Sequence, residues 1–437
     1  MVKPYIGTRS FLSENVEFMG LGDFLRKEFS FVSGNYRILI ISWVIMDIAM
    51  ETPVPYYQPY VEALGGKEFP MALGIIGFAN FLAMAVVAFP GGYLADKYGR
   101  RWLITTMTFG LAFSYVFFAF APSWHFILIG ATIQGLCLIY QPALFAMVQD
   151  SLPPERRGVG SSLIQMIHGT FNTPGPVIGG LLLLAFGLVT GMRVVYVFVM
   201  VLFILAAVWR LRLKETVVNA EPIRFRYFIS SYPQAFKECC IEVWKVVPRS
   251  ILWLFTVQIM LMFANAQFNV INAIYAINQL GIPEELWWIT YIPLLITMVV
   301  ASIPIGKAID RIGPKIPLIL GPVALATSAL LFAHGNFFTV MISMCLNGLV
   351  FLLIMASAMT LTANLVEPEN RGKVRGFLNF IGYIFQGTGM LLGNFFYNLY
   401  YPLPFYIAAG LALPMVIIII FRVHETKEQR CPKKLDS

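Results

Sequence analysis

Asp47 and Glu51 stand four residues apart in a stretch that is otherwise apolar. On a helix that spacing puts both side chains on one face. A carboxyl that meets a dry interior on one side of a conformational cycle and water on the other takes up a proton in the first setting and releases it in the second. The chemistry to expect is therefore coupling to an ion gradient. Glu51 runs into Thr52-Pro53-Val54-Pro55, where proline removes backbone donors and leaves carbonyls unpaired. Those carbonyls with Asp47 would equally suit Na⁺, and at the outer end of its helix Glu51 would simply meet water. His168 is the third ionisable candidate. Gln165, His168 and Asn172 follow the i, i+3, i+7 spacing of one helix face. An imidazole there would relay protons, bind substrate, or sit neutral in a hydrogen-bonded core.

Amides surround these groups in the sequence. Gln258, Asn265, Asn269 and Asn272 lie in one apolar run, Gln134 and Gln141 in another, and Asn347 in a third. Asn379 and Gln386 fall 214 residues after Gln165 and Asn172, and Asn265 falls 214 after Glu51. Tyr140, Phe263, Tyr291 and Tyr383 would add aromatic walls. Taken singly, each amide would serve equally as interhelical glue. With no Lys or Arg in the middle of any predicted span, the set favours neutral or cationic, partly apolar substrates, because a buried anion needs a cationic partner. The chain shows no phosphate-binding glycine loop, metal-ligand cluster or nucleophile–base pairing. It reads as neither an enzyme nor a metal or cofactor protein.

The elements that would position these residues are membrane helices. The 437 residues are 58% hydrophobic and only 12% charged, with mean hydropathy +0.74, where a soluble chain carries about a quarter charged residues. Apolar runs of about 20 residues mark spans, and twelve are predicted: 36–60, 70–95, 101–121, 124–150, 157–187, 191–213, 249–279, 284–310, 315–334, 336–364, 371–399 and 402–423. The runs are continuously apolar, which excludes the alternating strands of a barrel. Of the 31 Lys and Arg, all but Lys67 and Arg193 fall on one side of this map. Basic loops stay cytoplasmic, so both termini are expected inside. The charge is scattered over short loops, which argues against nucleic-acid binding. Residues 1–35 form a charged cytoplasmic segment without a cleavable leader's pattern, with a short amphipathic helix over 21–31. The expected divisions are then a six-helix bundle over 36–213, a cytoplasmic linker with an amphipathic helix over 214–248, a second bundle over 249–423 and a cytoplasmic tail over 424–437. The five cysteines lie inside helices or in cytoplasmic segments, so no disulfide framework is implied.

The two bundles repeat one another. Gly92-Tyr93-Leu94-Ala95-Asp96-Lys97-Tyr98-Gly99-Arg100-Arg101 returns in weakened form 214 residues later as Gly306-Lys307-Ala308-Ile309-Asp310-Arg311-Ile312-Gly313-Pro314-Lys315. Pro154-Glu155-Arg156-Arg157-Gly158 returns at the same offset as Pro368-Glu369-Asn370-Arg371-Gly372. Small residues such as Gly92 allow close helix approach, and Gly99 suits a turn with positive φ. Arg100 is placed to reach Asp150 at the end of the fourth span. A further cluster, Gly175-Pro176-Val177-Ile178-Gly179-Gly180, lies in the fifth span and reads by itself as a packing seam.

The Gly92–Arg101 loop resembles the signature between helices 2 and 3 of the major facilitator superfamily, and the resemblance extends over nearly the whole chain. It implies an all-α membrane protein of 12 transmembrane helices in two pseudo-symmetric six-helix halves, working by alternating access around a central cavity lined by helices 1, 4, 7 and 10. In that family Asp96, Arg100 and Asp150 would belong to a latch closing the cytoplasmic side. The alternative is that these charges only set topology. Pro314 replaces Arg100 and Asn364 replaces Asp150 in the second half, so that latch should be weaker. The Gly175–Gly180 run partly matches the motif of drug/proton antiporters, with Phe171 where that family has glycine. The leading expectation is a monomeric, proton-coupled exporter of small molecules in the plasma membrane. Alternatives are an uptake symporter for a sugar or similar nutrient, favoured by the many amides, and a non-transporting receptor, disfavoured because the termini offer no signalling domain.

Overall fold

The computed structural model describes residues 31–88, 90–153, 174–217, 247–367 and 371–423, together with scattered positions between 160 and 171, Pro233 and Lys237. Gln165, His168, Asn172, most of the expected linker and both terminal segments lie outside the described residues, as does the side chain of Asp96.

Among the described residues twelve helical stretches follow in order: α1 (Gly34–Gly66), α2 (Ala72–Ala88 with Pro90–Tyr98), α3 (Arg100–Ala119), α4 (Trp124–Asp150), α5 (Pro174–Phe186), α6 (Leu188–Arg210), α7 (Arg249–Asn278), α8 (Glu284–Ile312), α9 (Lys315–Ala333), α10 (Phe337–Leu365), α11 (Arg371–Leu399) and α12 (Leu403–Arg422). The described residues contain no strand. Among the described residues nine stretches are long and apolar enough to cross a membrane, and apolar segments Ala72–Ala88 and Pro174–Phe186 belong to α2 and α5. The twelfth, α11, is the most polar of the long helices. It carries Arg375, Asn379, Gln386, Asn394 and Asn398, for reasons its packing makes plain.

Local breaks occur where the sequence demands them. In α1, regular helix stops at Glu51; Pro53 and Pro55 force a 3₁₀ turn over Val54–Tyr56 before helix resumes at Tyr57–Val61. In α4, a 3₁₀ turn over Leu138–Tyr140 precedes Pro142. Gly99 has φ +98° and Gly313, its counterpart 214 residues on, has φ +85°. Both sharp turns between successive spans therefore use the left-handed conformation that glycine permits.

Small residues let the spans approach closely. A Cβ on Gly175 would lie 2.7 Å from the Glu51 Cβ, and one on Gly179 would collide with the Thr52 carbonyl. The same relation recurs in the second half, where a Cβ on Gly389 would lie 2.7 Å from the Phe263 oxygen and one on Gly393 2.7 Å from the Gln267 Cα. So α5 seats on the break in α1 as α11 seats on α7. Buried tyrosines repeat as well: Tyr60 donates to the Phe118 carbonyl at 2.9 Å, and Tyr275 donates to the Ala333 carbonyl at 2.7 Å. Each hydroxyl satisfies an orphan carbonyl at the end of the third helix of its half.

The two halves meet chiefly through α2 and α11. Asn394 Oδ1 accepts from the Gly74 backbone N–H at 3.3 Å. The Asn398 side-chain amide donates to the Pro70 carbonyl at 3.0 Å. A Cβ on Gly387 would lie 3.1 Å from the Phe81 Cβ. All these contacts lie away from the Gly92–Arg101 loop. At the loop's own end the helices separate: a Cβ on Gly376 or Gly306 would meet nothing within 4 Å.

Candidate functional site

A cavity of about 490 Å³ occupies the gap where α2 and α11 diverge, a size suited to a small organic molecule. Each of three helices turns one stripe toward it. From α2 come Met84, Ala88 and Gly92, spaced by four and small or apolar. From α4 come Leu138, Gln141, Pro142 and Phe145. From α11 come Arg375 with Gly376, then Asn379 and Tyr383, again spaced by four. The wall is thus apolar on α2, mixed on α4 and polar on α11, which is why α11 departs from the composition of its neighbours.

Of the residues expected to line a cavity, Gln141, Asn379 and Tyr383 do so, and the motif residue Gly92 joins them. Gln134 is corrected: its amide donates to the Tyr115 hydroxyl at 2.9 Å and ties α4 to α3. Gln258 is buried in α7 with its Oε1 lacking a hydrogen-bond partner. Asn269 contributes its main-chain carbonyl, which accepts from Gln58 Nε2. Asn265, Asn347 and Gln386 are half-buried and do not belong to the described wall. Helices α1, α7 and α10 contribute no residue to the described wall of this cavity. In this conformation the wall comes from α2, α4 and α11.

The two acids are placed differently from the cavity amides. Asp47 is buried and Glu51 half-buried, and neither is on the described cavity wall. Glu51 ends the regular part of α1, against Gly175 of α5. Tyr291 of α8 is within its electrostatic reach. One turn on, Tyr56 donates to the Glu284 carbonyl at 3.1 Å, and Gln58 spans to α7. Glu51 thus sits at the inner edge of the contact that joins the halves.

The loop motif is assembled at the other end. Arg100 pairs with Asp150. Glu215, which follows α6, accepts the backbone N–H groups of Arg100 at 2.9 Å and Arg101 at 3.0 Å. The same carboxylate accepts from the N–H groups of Thr216 and Val217. Burial alone would raise its pKa, but these four N–H bonds outweigh it and hold the carboxyl below the usual carboxylate range. Arg101 also donates from its guanidinium to the Leu211 carbonyl at 3.0 Å. Lys97 lies 5.7 Å from the Tyr98 ring centroid. Asp310 and Arg311 of the second copy are exposed. Gly175 and Pro176 are buried along with Gly179 and Gly180, and Gly180 faces the Trp288 ring of α8.

Two cations were not foreseen. Arg375 belongs to the cavity wall, its guanidinium 5.5 Å from the Phe145 ring centroid. It escaped the sequence reading because it lies one turn inside α11, where a basic residue reads as a topology signal. Arg210 is fully buried near the end of α6. Its Nε donates to Ser42 at 2.9 Å, one terminal nitrogen to Thr108 at 2.8 Å, and the guanidinium lies 5.5 Å from the Tyr140 ring centroid. Only its position among Ser42, Thr108 and Tyr140 distinguishes it from an end-of-span charge, and sequence spacing does not bring those three together.

Known proteins match this arrangement. Multidrug resistance protein MdtG of Enterobacter lignolyticus is 25% identical over 314 residues, 69% of this chain and 70% of that one. MdtG of Escherichia coli O9:H4 is 24% identical over 311 residues, 68% and 71% respectively. Among solved structures, the human organic anion transporter MFSD10 (TETRAN) superposes with TM-score 0.65 at 18% identity, covering 88% of this chain and 98% of its own. A bacterial homologue of the human lysosomal transporter Spinster, in an inward-facing and unoccupied conformation, gives 0.64 at 16%, covering 89% and 94%. The family model of the Major Facilitator Superfamily matches residues 39–299 and 254–436. Twelve helical stretches among the described residues, two copies of one loop motif and a cavity between the halves agree with that match, and the chain belongs to the Major Facilitator Superfamily.

Proposed function

We propose that this protein exports amphiphilic small molecules across the plasma membrane by alternating access, coupled to inward movement of protons. The observation that carries the reading is the asymmetry of the contact between halves: hydrogen bonds and helix packing join them at one end, while a 490 Å³ cavity lies between them at the motif end. A site reached from one end only is one of the two states that alternating access requires. With the basic loops in the cytoplasm, the cavity faces inward, both termini are inside, and substrate is collected from the cytoplasm or the inner leaflet. The named drug-resistance relatives support export over uptake. The protein is taken to act as a monomer.

Proton coupling is assigned to Glu51, with Asp47 as its neighbour on α1. An ionisable residue at membrane depth is costly unless it faces a partner or performs a function. Glu51 stands at the proline break, beside the α5 glycines and below the contact that must open, so a change in its charge would act directly on that contact. Arg100 and Asp150, already paired within the first half, would hold the motif loop in shape for a latch that forms when that end closes.

The test is proton flux in proteoliposomes carrying an internal pH dye. Addition of a transported amphiphile should drive proton movement opposite to substrate in the intact protein. Glu51→Gln should abolish gradient-driven accumulation while leaving substrate exchange. Gradient-driven transport with unchanged pH dependence in Glu51→Gln would remove Glu51 from the coupling role.

A further inference from the structure

We infer that the cavity selects an anionic amphiphile: a flat apolar body bearing a single carboxylate or sulfonate. The inference rests on the transport reading and narrows its substrate class, against the neutral or cationic class that the sequence alone favours.

The argument is the distribution of charge around the cavity. Among the described residues of its wall, Arg375 is the one formal charge, and no described carboxylate pairs with it. Asp47 and Glu51, which would recommend a cationic ligand, are not on the described wall. A guanidinium presents several donors in a planar fork suited to a carboxylate or sulfonate. Asn379, one helical turn further in, and Gln141 opposite it add neutral donors along the same path.

The apolar part of the ligand has its own place. Phe145 is 49% exposed, and its ring lies 6.3 Å from that of buried Trp43. Met84, Ala88 and Leu138 continue an apolar surface away from Arg375. A planar ring laid against Phe145 would carry its anionic group to the guanidinium while its body covers the α2 stripe. Arg375 is exposed at the rim of the cavity, and a cation in that pose would meet its like charge at close range.

A matched trio of probes tests this: 2-naphthalenesulfonate, 2-methoxynaphthalene and 2-naphthyltrimethylammonium. Binding to the purified full-length protein in detergent micelles is read by competition and calorimetry, and transport is read separately in proteoliposomes. The expected result is sulfonate binding at least tenfold tighter than the neutral probe, with the ammonium weakest. Arg375→Gln should cost the sulfonate tenfold or more and leave the neutral probe unchanged. Arg375→Lys should retain part of the preference, and Arg375→Glu should reverse it toward the ammonium. Equal binding of all three by the intact protein would overturn the inference. So would an Arg375→Gln loss that falls equally on the sulfonate and the neutral probe, the signature of a residue that only latches the motif end. Charge-selective, Arg375-dependent binding without transport of any probe would uphold the site and sink the export reading instead.

Discussion

Gln58 and Asn272 are 214 residues apart, the same interval that separates the two loop motifs, and they hydrogen-bond to each other across the halves. Gln58 Nε2 donates to Asn272 Oδ1 at 2.8 Å, and Gln58 Oε1 accepts from the Ala273 backbone N–H at 2.9 Å. Both side chains are buried. Counterparts in a two-fold repeat touch only near its axis, so this knot lies at the centre of the closed end. It must break whenever that end opens.

Gln58→Ala should therefore favour the state open at that end. Losing the bonds while leaving Asn272 buried costs about 1–3 kcal/mol in the closed state, roughly a five- to 150-fold shift in the ratio of the two states. Pulsed spin-label distances between labels at the tops of α2 and α11 would read it. Unchanged distance distributions in Gln58→Ala would show that α2–α11 packing alone holds the end shut.

Glu215 caps the start of α3 from a distance of more than a hundred residues. Its folded-state pKa is depressed, so its contribution is present above the unfolded value, about 4.3, and is lost as pH falls through the lower folded value. Glu215→Gln should lower the melting temperature at neutral pH by an amount that reflects loss of a cap worth about 1 kcal/mol. The gap between variant and parent should narrow as pH falls below the unfolded value and close once it passes the lower folded one. A gap that does not narrow anywhere across the acid limb would mean that the carboxylate's charge is not what holds the loop.

Gly179 has no room for a side chain, because a Cβ there would collide with the Thr52 carbonyl of α1. Gly179→Val should fail to give monodisperse protein in mild detergent. Gly187→Ala, at a turn with open space around it but φ +74° and ψ 174°, should cost the strain of a backbone region essentially reserved for glycine, about 1–3 kcal/mol, and remain monodisperse. Equal behaviour of the two would refute the seam between α5 and α1.

These cases mark what the sequence carries plainly. The 214-residue interval locates the repeated glycine turns at Gly99 and Gly313, because a turn's chemistry is local. Spans were legible for the same reason: twenty apolar residues have few alternatives. The cavity wall was less so. Gln134 and Gln141 share a helix and a residue type, yet one faces Tyr115 and the other the cavity. The turn at Leu138–Tyr140 rotates the helix between them, and no spacing rule includes that rotation. Arg375 and Arg210 were read through the positive-inside rule, which counts charges at span ends without asking which way they face.

Arg210 provides the sharpest test of a buried charge in this fold. Among the described residues no acid reaches it, and one terminal nitrogen lacks a hydrogen-bond partner. Its acceptors do not depend on it: the Ser42 hydroxyl donates to the Leu39 carbonyl at 2.9 Å and the Thr108 hydroxyl to the Ile104 carbonyl at 2.6 Å. Arg210→Met keeps most of the side-chain volume, removes the desolvated charge and leaves both hydroxyls bonded. It should melt within about 1 kcal/mol of the parent or above it, as replaced buried ions often do. Arg210→Lys keeps a charge that cannot reach Ser42 and Thr108 together, and should lose about 2–3 kcal/mol. If methionine proves less stable than lysine, the cation itself holds α6 against α1 and α3. If Arg210→Met folds well but transports poorly, the charge is retained for the transport cycle.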